Sequence, residues 1–213
     1  MALTKPDIKS LLASALGRRD EVPNIELAER IAHSNDQAAV DAVAAILETG
    51  ARAVRHDAIK VLYEVGERNP RLILSQFSVF LSTISDKDNR MVWGGLTALA
   101  KLSDLAPEKV FPHLDEILRA ADAGSVIAKD RAIDILVSLA GTATYFGEVM
   151  PTIINRLKTS AVNQLPKYAE KTNRLTLPQP EADEVKCVLK GRIHEPMGAA
   201  KKKRIEKVID CLS

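Results

Sequence analysis

The sequence predicts an all-α protein built of stacked helical units, and three observations predict it. Ala58, Gly95, Ala132 and Ala169 stand 37 positions apart. The first three each open an apolar stretch: Ala58-Ile59-Lys60-Val61-Leu62, Gly95-Leu96-Thr97-Ala98-Leu99 and Ala132-Ile133-Asp134-Ile135-Leu136. The fourth, Ala169-Glu170-Lys171-Thr172-Asn173, keeps only the small residue. Pro70 and Pro107 share the interval, as do Leu81 and Leu118. A small residue with an apolar stripe, returning at constant period, marks units that bury their faces on one another. Composition agrees: 46% of residues are hydrophobic but only 4% aromatic, so aliphatic side chains dominate. Such segments pack helix on helix, and few β-branched runs alternate as strands would.

Taken in order, Thr4-Lys5-Pro6-Asp7 reads as a helix start, with Thr4 as cap, Pro6 in the first turn and Asp7 at the positive end. Leu11, Leu12, Ala15 and Leu16 continue it as one apolar stripe, stopped by Gly17. After a polar link from Arg18 to Glu21, a short helix carries Ile25, Leu27, Ala28 and Ile31. Ser34-Asn35-Asp36-Gln37 starts the next, and its run from Ala39 to Leu47 is so apolar that neighbours must cover it. The helix holding Ala58 runs to about Glu67, where Asn69-Pro70 breaks it.

From there a helix, a short polar turn and a second helix repeat. Leu72 to Ser85 turns at Asp86-Lys87-Asp88-Asn89 into Arg90 to Asp104. The unit opened by Pro107 runs to about Ala121, turns at Asp122-Ala123-Gly124-Ser125 and enters Val126 to Ala140. Tyr145 to Lys158 and Asn163 to Thr172 form the last regular pair. Asn173 to Asp183, with Pro178 and Pro180, reads as an extended link. Helices over Glu181 to Ile193 and Ala199 to Leu212 follow, the second with Ile205, Val208, Ile209 and Leu212 on one face. An end unit of this kind hides the last apolar face of a stack.

The layout resembles the HEAT family of α-solenoids, in which paired antiparallel helices meet at an Asp-bearing turn followed by Val-Arg-x-x-Ala. Gly50-Ala51-Arg52-Ala53-Val54-Arg55-His56-Asp57-Ala58 carries the resemblance best, with looser copies at Asp88-Asn89-Arg90-Met91-Val92 and from Ser125-Val126 to Ala132. The tetratricopeptide Trp/Leu/Gly/Tyr pattern is absent. The resemblance implies a right-handed α-α superhelix, a HEAT-like solenoid of about four to five helix pairs with a C-terminal helical cap. It divides the chain into a repeat array over 1–172, a linker over 173–183 and capping helices over 184–213.

In such stacks the second helices line a concave face, and the 37-residue spacing aligns positions along it. His56, Trp93, Asp130 and Lys167 make one row; Asp57, Gly94, Arg131 and Tyr168 the next; Lys60, Thr97, Asp134 and Lys171 a third. Arg55, His56, Lys60, Trp93, Asp130, Arg131, Lys167 and Tyr168 are therefore the expected partner-binding residues. Trp93, the single tryptophan, is the expected anchor.

Charge is uneven. Residues 1–155 carry 17 Lys and Arg against 21 Asp and Glu, a net of −4; residues 156–213 carry 13 against 7, a net of +6. The basic end contains Lys201, Lys202, Lys203 and Arg204, a patch suited to anionic partners or simply to a solvated helix face. No apolar run approaches the roughly 18 residues that span a bilayer, and the N-terminus lacks a signal-peptide pattern, so the expected location is cytoplasmic. Cys187 and Cys211 are read as reduced core thiols.

No phosphate loop, dinucleotide fingerprint, nucleophile elbow or paired-histidine zinc motif occurs. Gly94-Gly95 reads as close helix packing. His33, His56, His113 and His194 stand alone in sequence, and no cofactor or metal is expected. His194-Glu195-Pro196-Met197 resembles one His-Glu pair of the deoxyhypusine hydroxylases, but a di-iron centre needs more ligands than that. The reading is a non-catalytic scaffold that holds a protein partner in its groove. The alternative is a nucleic-acid-binding HEAT-like protein resembling the alkylpurine DNA glycosylases, with Trp93 stacking and Asp130 and Arg131 giving electrostatic and phosphate contacts. Against it, the repeat body is net acidic, whereas phosphate binding draws on clustered cations.

Overall fold

The structure, a computed structural model, describes residues 5–212, with side chains from Ile8 onward. The expected cap at Thr4, and the side chains of Pro6 and Asp7, lie outside the described residues. Fourteen α-helices and no strand are present among them. The chain falls into two compact units, Met1–Arg131 and Ala132–Ser213.

In the first unit, α1 (Lys5–Leu11) and α2 (Val22–Ser34) precede α3 (Gln37–Thr49) and α4 (Arg52–Arg68). The third pair is α5 (Pro70–Ile73) and α6 (Phe77–Ile84), then α7 (Asn89–Leu102); the fourth opens with α8 (Pro107–Val110) and α9 (Leu114–Ala123) and leads into α10 (Val126–Ala140). The second helices α2, α4 and α7 lie side by side in one layer. The first helices form the other, α1 on α3, α3 on α5 and α6 on α9. Between them lies a mainly aliphatic core with Ile31, Val43, Ile59, Leu62, Leu96 and Leu99, joined by the ring of Phe80, removed from solvent. Burial of such side chains contributes about 1.5–3 kcal/mol each.

The polar turns act as caps. Asp36 Oδ1 accepts the Ala39 amide at 2.9 Å to start α3, and Asp88 Oδ1 accepts the Arg90 amide at 2.9 Å to start α7.

Two expectations need correction here. The first helix does not run to Leu16; α1 ends at Leu11, and Leu16 is exposed. The cause is a buried polar cluster. Asn24 Oδ1 accepts the Ala13 amide at 3.0 Å, and Asp57 Oδ2 accepts the Ser14 amide at 2.8 Å. Asn24 Nδ2 donates to Asp57 Oδ1 at 2.7 Å, which ties the acceptors together. Side chains of α2 and α4 thus claim the amides that would have continued α1, and Gly17 turns the chain at φ +67°. The second correction concerns Leu72 to Ser85, expected as one helix. It is α5 and α6, joined by a 3-10 turn at Leu74–Gln76. The same turn recurs at Phe111–His113, 37 residues on. Pro112 accounts for the second bend, because it has no amide hydrogen to give; no proline stands behind the first.

In the second unit, α11 (Ala143–Thr159) and α12 (Leu165–Thr172) are followed by α13 (Gln179–Arg192) and α14 (Ala199–Cys211). α13 packs on α11 and α14 on α12, the same alternation as in the first unit. Helix α13 begins two residues earlier than expected, since Pro180 is tolerated in a first turn. Arg192 Nη1 donates to the Leu157 carbonyl at 2.8 Å and fastens the end of α13 to α11. As expected, Ile205, Val208 and Ile209 are buried on one face of α14. Leu212, expected with them, caps its end and is half-buried. Cys187 and Cys211, expected in the core, are free and exposed because they lie off the buried faces of α13 and α14.

Gly94 and Gly95 set two approaches of α7. A Cβ on Gly94 would lie 2.6 Å from Ile59 Cγ1 of α4, and one on Gly95 would collide with Thr83 Oγ1 and meet the Phe80 carbonyl of α6 at 3.1 Å. One glycine serves the neighbouring unit and the other its own. Gly95→Ala is expected to destabilise the protein by about 1–2 kcal/mol, despite the gain in helix propensity. Gly147→Ala, on an exposed position of α11 with open space around it, should stabilise by about 0.5–1 kcal/mol. Urea titrations followed by helical circular dichroism check both; a Gly95→Ala midpoint at or above wild type would show that the crossing tolerates a methyl group.

Candidate functional site

The layer of second helices in the first unit carries most of the expected binding residues. Lys60, on α4, is buried. Its Nζ donates to Glu64 Oε1 at 2.8 Å, pairs with Glu21 Oε2 at 3.1 Å and lies 4.9 Å from the centre of the Tyr63 ring. Burial opposes the charge on Lys60, but the hydrogen bonds to Glu64, Tyr63 and Glu21 outweigh it and raise its pKa. Glu64 shows the converse: burial raises its pKa, while hydrogen bonds from Lys60 and Arg68 bring it below the ordinary value.

Trp93, on α7, is half-buried. Its ring centroid is 5.8 Å from that of Tyr63, tilted by 51°. The Arg90 guanidinium carbon lies 5.9 Å from the Trp93 ring centre, and Arg90 Nη2 donates to Glu21 Oε1. Two aromatic rings from adjacent units are therefore flanked by two cations, and Glu21 joins both cations. Cation–π contacts of this kind contribute about 0.5–1 kcal/mol at exposed sites.

Within the first unit, Arg55 and His56 serve the joint between α4 and the turn that precedes α7. Arg55 Nε donates to the Leu47 carbonyl at 2.7 Å, and its Nη2 pairs with Asp86. His56 Nε2 lies 2.8 Å from Asp88 Oδ2, which also accepts from Arg52 Nε at 2.7 Å. Burial pushes the Asp88 carboxyl up, but hydrogen bonds from His56, the Arg90 amide and Arg52 hold it below the ordinary carboxylate range. The Asp88 amide, burial notwithstanding, lowers Asp86, with help from Arg55. Asp130 and Arg131, half-buried on α10, are engaged with other groups.

In the second unit Lys167 is half-buried and Tyr168 is only 2% exposed, its hydroxyl accepting from Gln164 Nε2 at 2.6 Å. Tyr168 therefore packs in the interior. Lys171 is buried and pairs with Asp134, 37 residues earlier. Within the basic cluster, Lys201 donates to Asn163, and Arg204 holds Glu170 by two bonds of 2.7 and 2.6 Å. Lys202 is half-buried and Lys203 exposed.

Sequence reasoning missed Tyr63, Glu64, Glu21 and Arg90. The Lys60-to-Glu64 spacing was a legible helix-face pair. Glu21, 69 positions from Arg90, gives no local signal. Chemically the face suits binding. Its carboxylates are paired with cations, and Lys60 is held protonated. No cluster of three or more His, Cys, Asp or Glu that could hold a metal occurs among the described residues; Glu195 is engaged by Arg192 at 2.7 and 2.8 Å. No described helix is long and apolar enough to cross a membrane.

Comparison with solved structures gives the class. A designed armadillo repeat protein in complex with the peptide (KR)4 matches with a TM-score of 0.70 at 10% identity, covering 98% of this chain and 99% of that one. Computationally designed armadillo repeat proteins for modular peptide recognition match at 0.65 and 11%, over 98% and 99%. The archaeal HEAT-like repeats protein from Thermococcus onnurineus NA1 matches at 0.55 and 14%, over 100% and 98%. The fold is thus an all-α solenoid of helical repeats, of the armadillo and HEAT kind. No protein-family model matches the sequence, and no curated protein matches it.

Asp88 links cap, joint and face. Asp88→Ala should cost about 1–2 kcal/mol through the lost cap, and Asp88→Asn less, because the amide oxygen still accepts. Glu64, Asp86 and Asp88 all have lowered folded-state pKa values, so their contribution is whole above the ordinary carboxylate range and is lost as pH falls through the lowered values. The wild-type melting temperature is expected to stay level down to about pH 5 and fall below about pH 4. In Asp88→Asn the fall should be shallower. Melting curves across pH read this directly, and an unchanged acid limb in the variant would remove Asp88 from the account.

Proposed function

We propose that this chain is a non-catalytic binding scaffold, and that α2, α4 and α7 hold an extended segment of a partner protein. The observation that carries the reading is Trp93 set half-exposed against Tyr63, between cations that Glu21 and Glu64 already balance. A flat apolar surface edged by ordered charges of both signs offers an anchor and hydrogen-bonding groups to a peptide chain. That designed proteins of this fold recognise peptides supports it. Asp130 and Arg131 extend the proposal along the first unit, and Lys167 is proposed as a partner contact on the second. In the same reading 173–178, shorter than the link expected over 173–183 because α13 starts at Gln179, joins the repeats of 1–172 to α13 and α14, which are proposed as a polar end unit.

Pairing also weighs against the nucleic-acid alternative. Lys60, Arg90, Arg52 and Arg55 each face a carboxylate of this chain. Phosphate backbones draw instead on clustered, uncommitted cations.

A display library of extended peptides selected on the whole chain, followed by fluorescence anisotropy of labelled winners, tests the proposal. Trp93→Ala and Arg90→Glu should each weaken binding about tenfold or more, with circular dichroism showing the fold intact. Lys109→Gln, on the other layer, should leave binding unchanged. Winners that bind Trp93→Ala as tightly as wild type would overturn the assignment of this face.

A further inference from the structure

In the second unit, where α12 packs against α14, cations are in surplus on the outer surface. Helix α14 carries Lys201, Lys202, Lys203, Arg204 and Lys207 against Glu206 and Asp210. Its apolar face, with Ile205, Val208 and Ile209, is buried, which turns Lys203 and Lys207 outward. These two stand one turn apart, about 6 Å along the helix axis.

The seam between the two helices is only partly neutralised. Lys201 donates to Asn163, just before α12, and Arg204 grips Glu170 through bonds of 2.7 and 2.6 Å. One turn beyond that pair each side supplies a cation, Lys207 on α14 and Arg174 just past the end of α12. Both act on the same carboxylate. The bond from Arg204, against burial, lowers the Glu170 pKa most, and the charges of Lys207 and Arg174 lower it further. Three cations thus share one acid. All can be reached from solvent: Arg174, Lys203 and Lys207 are exposed, and the Arg204 side chain is 46% exposed even in its ion pair. Like charges gathered in this way attract an anion that balances them.

The surroundings select among anionic partners. A single nucleic-acid strand stacks its bases on aromatic rings, but Tyr168, the one aromatic residue of α12, is interior and α14 has none. A phosphate backbone draws on roughly six to ten contacts, more than these four cations offer, and Glu206 and Asp210 would repel an unbroken row of phosphates. A bilayer surface also takes up apolar side chains. Among the described residues the large exposed ones, Leu16, Val22, Val126 and Ile127, all belong to the first unit. A peptide with carboxylates at intervals meets none of these obstacles, and Glu170 shows how this surface takes one.

We infer that the seam of α12 and α14 is a docking surface for an acidic protein segment, whose carboxylates pair with Arg174, Lys203 and Lys207 beside the Arg204–Glu170 pair. The surface lies wholly on the second unit. It goes beyond the reading of the Trp93 face and stands or falls without it.

The test is fluorescence anisotropy with the full chain and a labelled peptide of alternating Glu and Gly. The Gln-Gly counterpart and labelled single-stranded and duplex DNA of mixed sequence are run beside it. The Glu peptide is expected to bind, more weakly as salt is raised, and the Gln peptide is not. Lys203→Glu combined with Lys207→Glu should weaken the Glu peptide about tenfold or more. Lys87→Glu combined with Lys109→Glu, at exposed positions of the first unit, changes the net charge equally and should alter affinity less than about twofold. Circular dichroism checks that both double variants keep their helix content. No binding of the Glu peptide, or equal losses in the two double variants, overturns the inference. So does DNA that binds more tightly than the Glu peptide and is lost with Lys203 and Lys207, which assigns the surface to phosphate backbones.

Discussion

Everything in this fold depends on how closely the second helix of each unit can approach its neighbours. Ala58, Gly95, Ala132 and Ala169 recur at one point of the repeat, and all four are buried. At Gly95 even a methyl group has no room beside Thr83 and the Phe80 carbonyl, and at Gly94 the same holds against Ile59. Dispersion falls off steeply with separation, so a slightly wider crossing would forfeit much of the contact energy along the whole helix. The period of the sequence is thus the period of a steric limit.

Electrostatics follows that spacing instead of setting it. Pairs such as Lys60 with Glu21, Arg68 with Glu29, Lys101 with Glu67 and Lys171 with Asp134 join side chains 34–39 positions apart, which is one unit to the next. Exposed pairs contribute little each, about 0–1 kcal/mol. Their effect is on register: a unit that slipped by one turn would break these pairs and leave Lys60, buried, with Glu64 of its own helix but without Glu21. The rows that sequence analysis assigned to a partner are in good part rows that hold the units to each other. The proposed binding surface lies between those pairs, with half-buried Trp93 at its centre.

How much of this was legible in the sequence depends on the range of the interaction. The period and the small residues at the crossings are local, and sequence reasoning found them; it read Ser34, three before Gln37, as the cap of α3, whereas Ser34 ends α2 and Asp36 makes the cap. The end of α1 was not legible, because Asn24 and Asp57 decide it from two other helices. Nor was the bridge from Glu21 to Lys60 and Arg90. Tyr168 stood in a row with groove residues, yet its side chain is interior. A 37-residue period fixes which backbone positions align and says less about which way a side chain at the edge of the row turns.

The bend shared by the first helices of the third and fourth units has a further consequence. Pro112 accounts for it in one and no proline does in the other, so the bend belongs to the stacking of the unit more than to any one residue. A backbone held by packing geometry and a few small side chains is insensitive to most substitutions. Surface residues are then free to drift between copies of a unit. New recognition can arise by changing one unit at a time while the rest of the stack continues to fold.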